Sequence, residues 1–306
     1  PSPMAGICWD IARGVCTLVA PIFPGEPVKF GPRPWTEVAT SVAASTALCF
    51  AAGRPLTRST TLLRLLGRFR PQLRDEAWIE NMESKGGSGA HRKRSAAELL
   101  FIAVHNSTVA FLAALAWLIG SPSLALHSFS LEVGYEVFDT FNLGPSRVEP
   151  ETLIHHIVAP ICILCSMQTD IDYRVLCHLC ICIDASGAAL GYAKFLLRFA
   201  HVSSAEVYRR LAWIHGTLRV ALPLIDTVII VVNCITSRGG FFRFSHVDLN
   251  SAHPAWAQTD WTQLYFWAMA VLNAFNIYFW LVIRARAKLP QHILAQVEMQ
   301  SSGQTC

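Results

Sequence analysis

Residues Ala96–Ile119 read AAELLFIAVHNSTVAFLAALAWLI, a run in which Glu98 is the one charged side chain. A helix needs about 20 largely apolar residues to cross the hydrocarbon core of a bilayer. The run meets that requirement, so we expect it to form a transmembrane helix.

Further apolar stretches lie on both sides of this run and bring the expected number of spans to about seven. The sequence therefore predicts an all-α, polytopic transmembrane helix bundle. Ile7–Phe23 is also apolar, and it fits a short span, a re-entrant piece or a signal-like segment equally well. The other six predicted spans are Trp35–Ala52, Leu124–Leu143, Thr152–Met167, Tyr173–Phe199, Val207–Ile235 and Trp261–Ile283.

The composition agrees with a membrane protein. Hydrophobic residues make up 53% of the 306 residues and charged residues only 15%. Soluble domains carry about 25% charged residues, so disorder and an ordinary soluble enzyme are both excluded. The formal net charge of +4 is modest, and we expect no nucleic-acid partner.

Basic residues predict the orientation of the chain, because the loops on the cytosolic side are enriched in Lys and Arg. With seven spans, 18 of the 25 basic residues fall on one side, and this side includes the C-terminus. We therefore expect a multi-pass protein with a cytosolic C-terminus.

The pattern divides the chain into three parts. Residues 1–94 form an N-terminal segment with one or two membrane helices and a basic cytosolic loop, in which Thr57–Asn81 has the pattern of an amphipathic surface helix. Residues 95–288 form the main transmembrane domain, and residues 289–306 form a cytosolic tail.

Ionisable residues inside membrane spans are costly and are candidates for function. Glu132, Glu136 and Asp139 follow one another at spacings of four and three residues, so they share one helical face. At a rise of about 1.5 Å per residue, Asp139 and the pair His155-His156 lie at similar depths. Adjacent helical residues point about 100° apart, so we expect at most one of the two histidines to face the interior squarely.

Asp184 and Arg219 also fall at one depth, roughly 20 Å from the cytosolic side. A buried carboxylate and guanidinium at the same depth are natural partners. The sequence predicts that they pair, either as part of a site or as a contact that only locks two helices together.

Metal binding is the weaker interpretation of the cysteines and histidines. Cys162-x-x-Cys165 and Cys177-x-x-Cys180 have the bare spacing of a zinc ribbon. Both pairs lie in apolar runs without turn residues, where cysteine is typical as a small hydrophobic residue. A single His-His pair does not supply the many nitrogen ligands of a membrane di-iron site. We expect no metal site and no resident cofactor.

The order of these motifs resembles the TLC-domain membrane proteins, the superfamily of the ceramide synthases and the translocating-chain-associated proteins. The resemblance covers roughly Ser95 to Lys288 and rests on Gly134-Tyr-Glu-Val-Phe-Asp139, His155-His156, Asp184-Ala-Ser-Gly and Gly216-Thr-Leu-Arg219. It implies a core of six helices, here the last six spans, around a lipid-accessible cavity, with Trp35–Ala52 outside. It also implies residence in the endoplasmic reticulum.

The resemblance also implies an activity. In the ceramide synthases the histidine pair assists acyl transfer from acyl-CoA to a sphingoid amine. By resemblance the catalytic candidates are His155, His156 and Asp184, and Asp139 joins them because of its depth beside the histidine pair. The residues expected to contact substrate are polar side chains inside the spans, namely Glu136, Lys194, His215 and Arg219. Ala159 and Met167 depart from the ceramide synthase motif, so the chain is closer to the broader group, whose members act on or sense lipids.

Three functions stay open from the sequence. The first is a lipid acyltransferase that uses acyl-CoA as co-substrate. The second is a non-enzymatic lipid-binding or lipid-homeostasis protein. The third is a membrane trafficking accessory whose loops carry the function. Membrane lipids are the expected partners in the first two.

Overall fold

The structure is a computed structural model, and it describes residues 30–58, 96–143, 150–169, 171–199, 204–238 and 261–289. The predictions for Ile7–Phe23, for nearly all of the basic loop and for the tail beyond residue 289 lie outside these residues.

The described residues form seven helical rods, which confirms the all-α class. The sixth rod is continuous but consists of two α-helices joined by a π-helical segment. The rods are α1 (Trp35–Arg58), α2 (Ala96–Ile119), α3 (Pro122–Leu143), α4 (Pro150–Ser166), α5 (Tyr173–Phe199), α6 (Ser204–Ile214) with the π segment His215–Ala221 and α7 (Leu222–Arg238), and α8 (Trp261–Ala287).

Four rods contain a segment long and apolar enough to cross a membrane, and the chain is an integral, multi-pass membrane protein. These segments are Ala97–Ile119, Tyr173–Phe195, Ala205–Val231 and Trp261–Ala287. A shorter apolar helix covers Thr152–Ser166. The predicted total of about seven spans stays a prediction for the other three rods.

The packing of the last six rods closes a ring. Around it, α2 packs against α3, α3 against α4, α4 against α8, α8 against the sixth rod, the sixth rod against α5, and α5 against α2. Helix α1 packs mainly on α3, where Gly134 leaves no room for a Cβ beside the backbone of Ser45 and Thr46. A core of six helices with Trp35–Ala52 outside was the expected arrangement.

Short junctions orient neighbouring rods in opposite directions. Gly120, with φ of 70°, ends α2, and the hydroxyl of Ser121 accepts a hydrogen bond from the backbone N–H of Leu124 at the start of α3. Asp172 caps α5 by accepting from the N–H of Arg174. We call the end of the ring with Leu143 and Pro150 the Phe199 end, and the opposite end the Tyr173 end.

The π segment has a local cause. Pro223 has no N–H, so the carbonyl of Arg219 lacks its usual helical donor. The N–H of Leu222 bonds instead to the carbonyl of Thr217, five residues back. Gly216 lets the indole of Trp280 approach closely, and Trp280 Nε1 donates to the carbonyl of Ala212 at 3.0 Å. Such π-helical turns are frequent at functional sites.

Candidate functional site

The two adjacent histidines meet one carboxylate near the Phe199 end. His155 Nε2 lies 3.4 Å from Glu136 Oε1, and His156 Nε2 lies 3.2 Å from Glu136 Oε2. Both rings therefore reach the same side chain. Glu136 is itself buried, with 3% of its surface exposed.

Asp139 and Thr140 complete this group. Asp139 Oδ2 lies 3.4 Å from His156 Nε2, as the depth estimate from the sequence predicted. The hydroxyl of Thr140 donates to the backbone carbonyl of Glu136 and lies 2.8 Å from His156 Nδ1. We call His155, His156, Glu136, Asp139 and Thr140 the paired-histidine cluster.

The two histidines differ in accessibility and in their hydrogen bonds. The side chain of His155 is 21% exposed and that of His156 only 5%. The Thr140 hydroxyl has one hydrogen, which goes to the Glu136 carbonyl, so Thr140 accepts from His156 Nδ1–H. His156 is thereby hydrogen-bonded at Nδ1, and its Nε2 faces the two carboxylates, whereas His155 has the more exposed ring.

A histidine that the sequence analysis did not single out extends the polar interior. His105 of α2 is buried, its Nε2 lies 2.9 Å from Glu132 Oε2, and its ring stacks on Tyr135 at 3.9 Å between centroids. A lone histidine in an apolar helix carries no pattern of its own. Its depth, level with Glu132, is the signal that could have identified it.

Asp184 and Arg219 do not form the expected ion pair. Within the described residues Arg219 Nε donates to Asn276 Oδ1 at 2.9 Å, and Asp184 accepts from Cys180 Sγ at 3.0 Å. Equal depth placed the two side chains in one layer of the bundle. It did not fix the direction of Arg219, which the π segment turns toward α8.

The remaining predicted site residues lie apart from the paired-histidine cluster. His215 is buried, and its Nδ1 lies 3.0 Å from the hydroxyl of Ser186. Lys194 is exposed near the Phe199 end of α5. Asn106 contacts α5 at Gly187, where a Cβ would overlap the amide of Asn106. Neither His215 nor Lys194 belongs to the group around Glu136.

The cysteines are packed in the apolar interior, as the sequence analysis favoured over a zinc site. Cys162, Cys165 and Cys177 belong to the main hydrophobic core. In the part of the chain that the structure describes, no three His, Cys, Asp or Glu side chains are arranged to hold a metal ion.

Comparisons of the chain with models of known families, with curated proteins and with solved structures found no match. The geometry of the interior is therefore the basis for a functional assignment.

Proposed function

We propose that this integral membrane protein transfers an acyl group from acyl-CoA to a lipid amine or hydroxyl, and that the paired-histidine cluster is the catalytic centre. The observation that carries the proposal is Glu136, which lies within 3.4 Å of both imidazoles inside a helix ring. The motif resemblance to the TLC-domain group supports the same chemistry.

His155 is the general base in this proposal. A neutral imidazole accepts the proton of the attacking amine or hydroxyl, and an adjacent carboxylate stabilises the imidazolium that forms. His155 has the more exposed ring and lies 3.4 Å from Glu136 Oε1. The base later returns the proton to the thiolate of CoA, so that an amide or ester and free CoA are the products.

His156 is a positioning residue in this proposal. Its Nδ1 is engaged by Thr140, and its Nε2 faces both Glu136 and Asp139. In this proposal the hydrogen bond to Thr140 fixes the ring of His156 beside Glu136, and Glu136 in turn orients His155. The reaction would take place near the Phe199 end, which the basic residues assign to the cytosol, where acyl-CoA is found; residence in the endoplasmic reticulum is part of the proposal.

The test uses the full chain reconstituted in phospholipid vesicles, with alkyne-tagged palmitoyl-CoA and a total lipid extract from cell membranes as acceptor. We expect His155→Ala to lower the formation of tagged lipid by about 100-fold or more, the usual contribution of a general base. His127→Ala is the matched control, because His127 is an exposed histidine of α3. Equal turnover by wild type and His155→Ala would overturn the proposal.

Lipid binding without turnover is the second candidate. Ser130 Oγ and Asn273 Oδ1 are buried and make no hydrogen bond within the described residues. A bound headgroup could supply the missing partners. Lipid that co-purifies with the protein, together with no tagged product from wild-type protein, would favour this function over acyl transfer.

A further inference from the structure

A second group of polar side chains lies between α5 and α7, nearer the Tyr173 end. His178 Nδ1 lies 2.7 Å from Asp226 Oδ2, and Cys182 Sγ lies 3.9 Å from His178 Nε2. The imidazole therefore lies between the thiol and the carboxylate, with one ring nitrogen facing each of them.

The helices account for this arrangement. His178 and Cys182 are four residues apart on α5, so their side chains share one face of that helix. Asp226 comes from the first turns of α7, directly after the π segment. Cys182 is 3% exposed and Asp226 is 1% exposed, whereas the side chain of His178 is 20% exposed. Access to the group is therefore on the side of His178.

Asp226 fixes the tautomer of the imidazole. A carboxylate at 2.7 Å accepts a hydrogen bond from Nδ1–H, so Nε2 of the neutral ring carries the lone pair that faces the thiol and can accept its proton. Nucleophile, base and orienting acid then have the order that activated nucleophiles require, with the first contact often loose before substrate binds. The distance of 3.9 Å from sulfur to nitrogen fits that state.

We propose that Cys182, His178 and Asp226, the Cys182 triad, form a nucleophilic site that accepts an acyl group from an acyl thioester. Cys182 Sγ attacks the thioester carbonyl while His178 Nε2 takes the thiol proton. The carbon–sulfur bond to the leaving thiol then breaks, and His178 returns the proton to it. The products are an acyl-Cys182 thioester and a free thiol, so atoms and electrons balance without an oxidant or reductant.

Thioester exchange suits this location. One thioester replaces another, so the step needs no energy input, and the apolar residues of α5 around Cys182 would contact the acyl chain.

Among the described cysteines Cys182 is the one in contact with an imidazole. Cys180, two residues earlier, instead donates to the carboxylate of Asp184. Cys180 is therefore a matched control on the same helix.

The Cys182 triad is separate from the paired-histidine cluster. Cys182 lies 17 residues before the end of α5 at Phe199, which corresponds to about 26 Å along the helix. His155 and Glu136 lie within a few turns of the Phe199 end. The inference does not depend on the proposed activity of His155.

The experiment exposes the full chain in phospholipid vesicles to alkyne-tagged palmitoyl N-acetylcysteamine thioester, which is lipid-soluble, and in parallel to the tagged CoA thioester. Labelled protein is treated with neutral hydroxylamine, which cleaves thioesters, and the labelled residue is identified by mass spectrometry. We expect a hydroxylamine-sensitive label on Cys182 that is absent from Cys182→Ala and Cys182→Ser and is retained by Cys180→Ala. The two donors show whether the acyl group enters from within the membrane or from water.

Two further variants test the roles of the other residues. His178→Ala should slow labelling about 100-fold, as expected for loss of a general base. Asp226→Asn should also slow labelling. His155→Ala should leave labelling unchanged, which keeps this result independent of lipid turnover. A label that persists in Cys182→Ala, that is equally strong on Cys180, or that is unaffected by His178→Ala would overturn the proposal.

Discussion

The paired-histidine cluster and the Cys182 triad use the same residue types in different arrangements. In the cluster two histidines share Glu136, and the distances from imidazole nitrogen to carboxylate oxygen are 3.2 to 3.4 Å. In the triad one histidine has one carboxylate at 2.7 Å. The carboxylate that two imidazoles share therefore lies farther from each ring than the carboxylate that serves His178 alone. The cluster should therefore tolerate changes in protonation and position, and the triad should be rigid.

The largest expected effect on stability comes from removal of the dedicated carboxylate. Asp226→Leu leaves His178 without its 2.7 Å partner in the interior, and breaking a buried pair in this way costs about 3–5 kcal/mol. The midpoint of thermal unfolding in detergent should fall clearly. Glu206→Ala is the control, because Glu206 pairs with Arg209 and Arg210 at the surface, and its midpoint should not move.

A smaller loss is expected when the shared carboxylate becomes neutral. Glu136→Gln keeps the shape of the side chain but removes the charge that faces both imidazoles, and a hydrogen bond to a charged group contributes about 1.5–3 kcal/mol. The same unfolding assay measures it. If Glu136→Gln were more damaging than Asp226→Leu, the distinction between a shared and a dedicated carboxylate would be wrong.

Sharing also predicts energetic coupling. Because His155 and His156 meet at Glu136, the unfolding free energies of His155→Ala and His156→Ala should not add, with an interaction of about 0.5–3 kcal/mol in the double variant. His155→Ala and His178→Ala lie in separate groups and should add within about 0.5 kcal/mol. Additivity in the first pair would contradict a common partner.

The smallest effect concerns the hydroxyl that holds His156. Thr140→Val removes the contact with His156 Nδ1 and should cost about 1 kcal/mol, the usual net contribution of one hydrogen bond. Under the proposed function, turnover should fall while the proton-accepting role of His155 persists, so the pH profile of turnover should keep its shape. A change in the shape of the pH profile would identify His156 as the base instead.

Depths estimated from the helical rise predicted one interior contact correctly and another wrongly. They placed Asp139 beside the histidine pair, because α3 and α4 are regular helices joined by a short connection at the Phe199 end. They wrongly paired Asp184 with Arg219, because equal depth does not determine where a long side chain points. Asn276, on the neighbouring rod α8, accepts a hydrogen bond from Arg219 instead.

The contact between His178 and Asp226 could have been predicted from the same depth estimate. His178 lies 21 residues before the end of α5, and Asp226 lies 22 residues after the start of α6, so they share a depth. Both are polar residues inside predicted spans, but no sequence motif joins them. The contact depends on α7 packing against α5, which no local pattern encodes. The role of Cys182 was hidden because cysteine in an apolar run is typical of core packing.

The ring has a consequence for how the chain enters the membrane during synthesis. Helix α3 carries Glu132, Glu136 and Asp139, and alone it is a poor substrate for insertion. Glu132 meets His105 of the preceding helix, but the contacts of Glu136 and Asp139 with the histidine pair form only when α4 follows. Arg219 gains Asn276 only with α8, the rod that closes the ring. Ribosomal synthesis must therefore reach α8 before these interior contacts are complete. A chain that stops before α8 should be recognised as unfinished by membrane quality control.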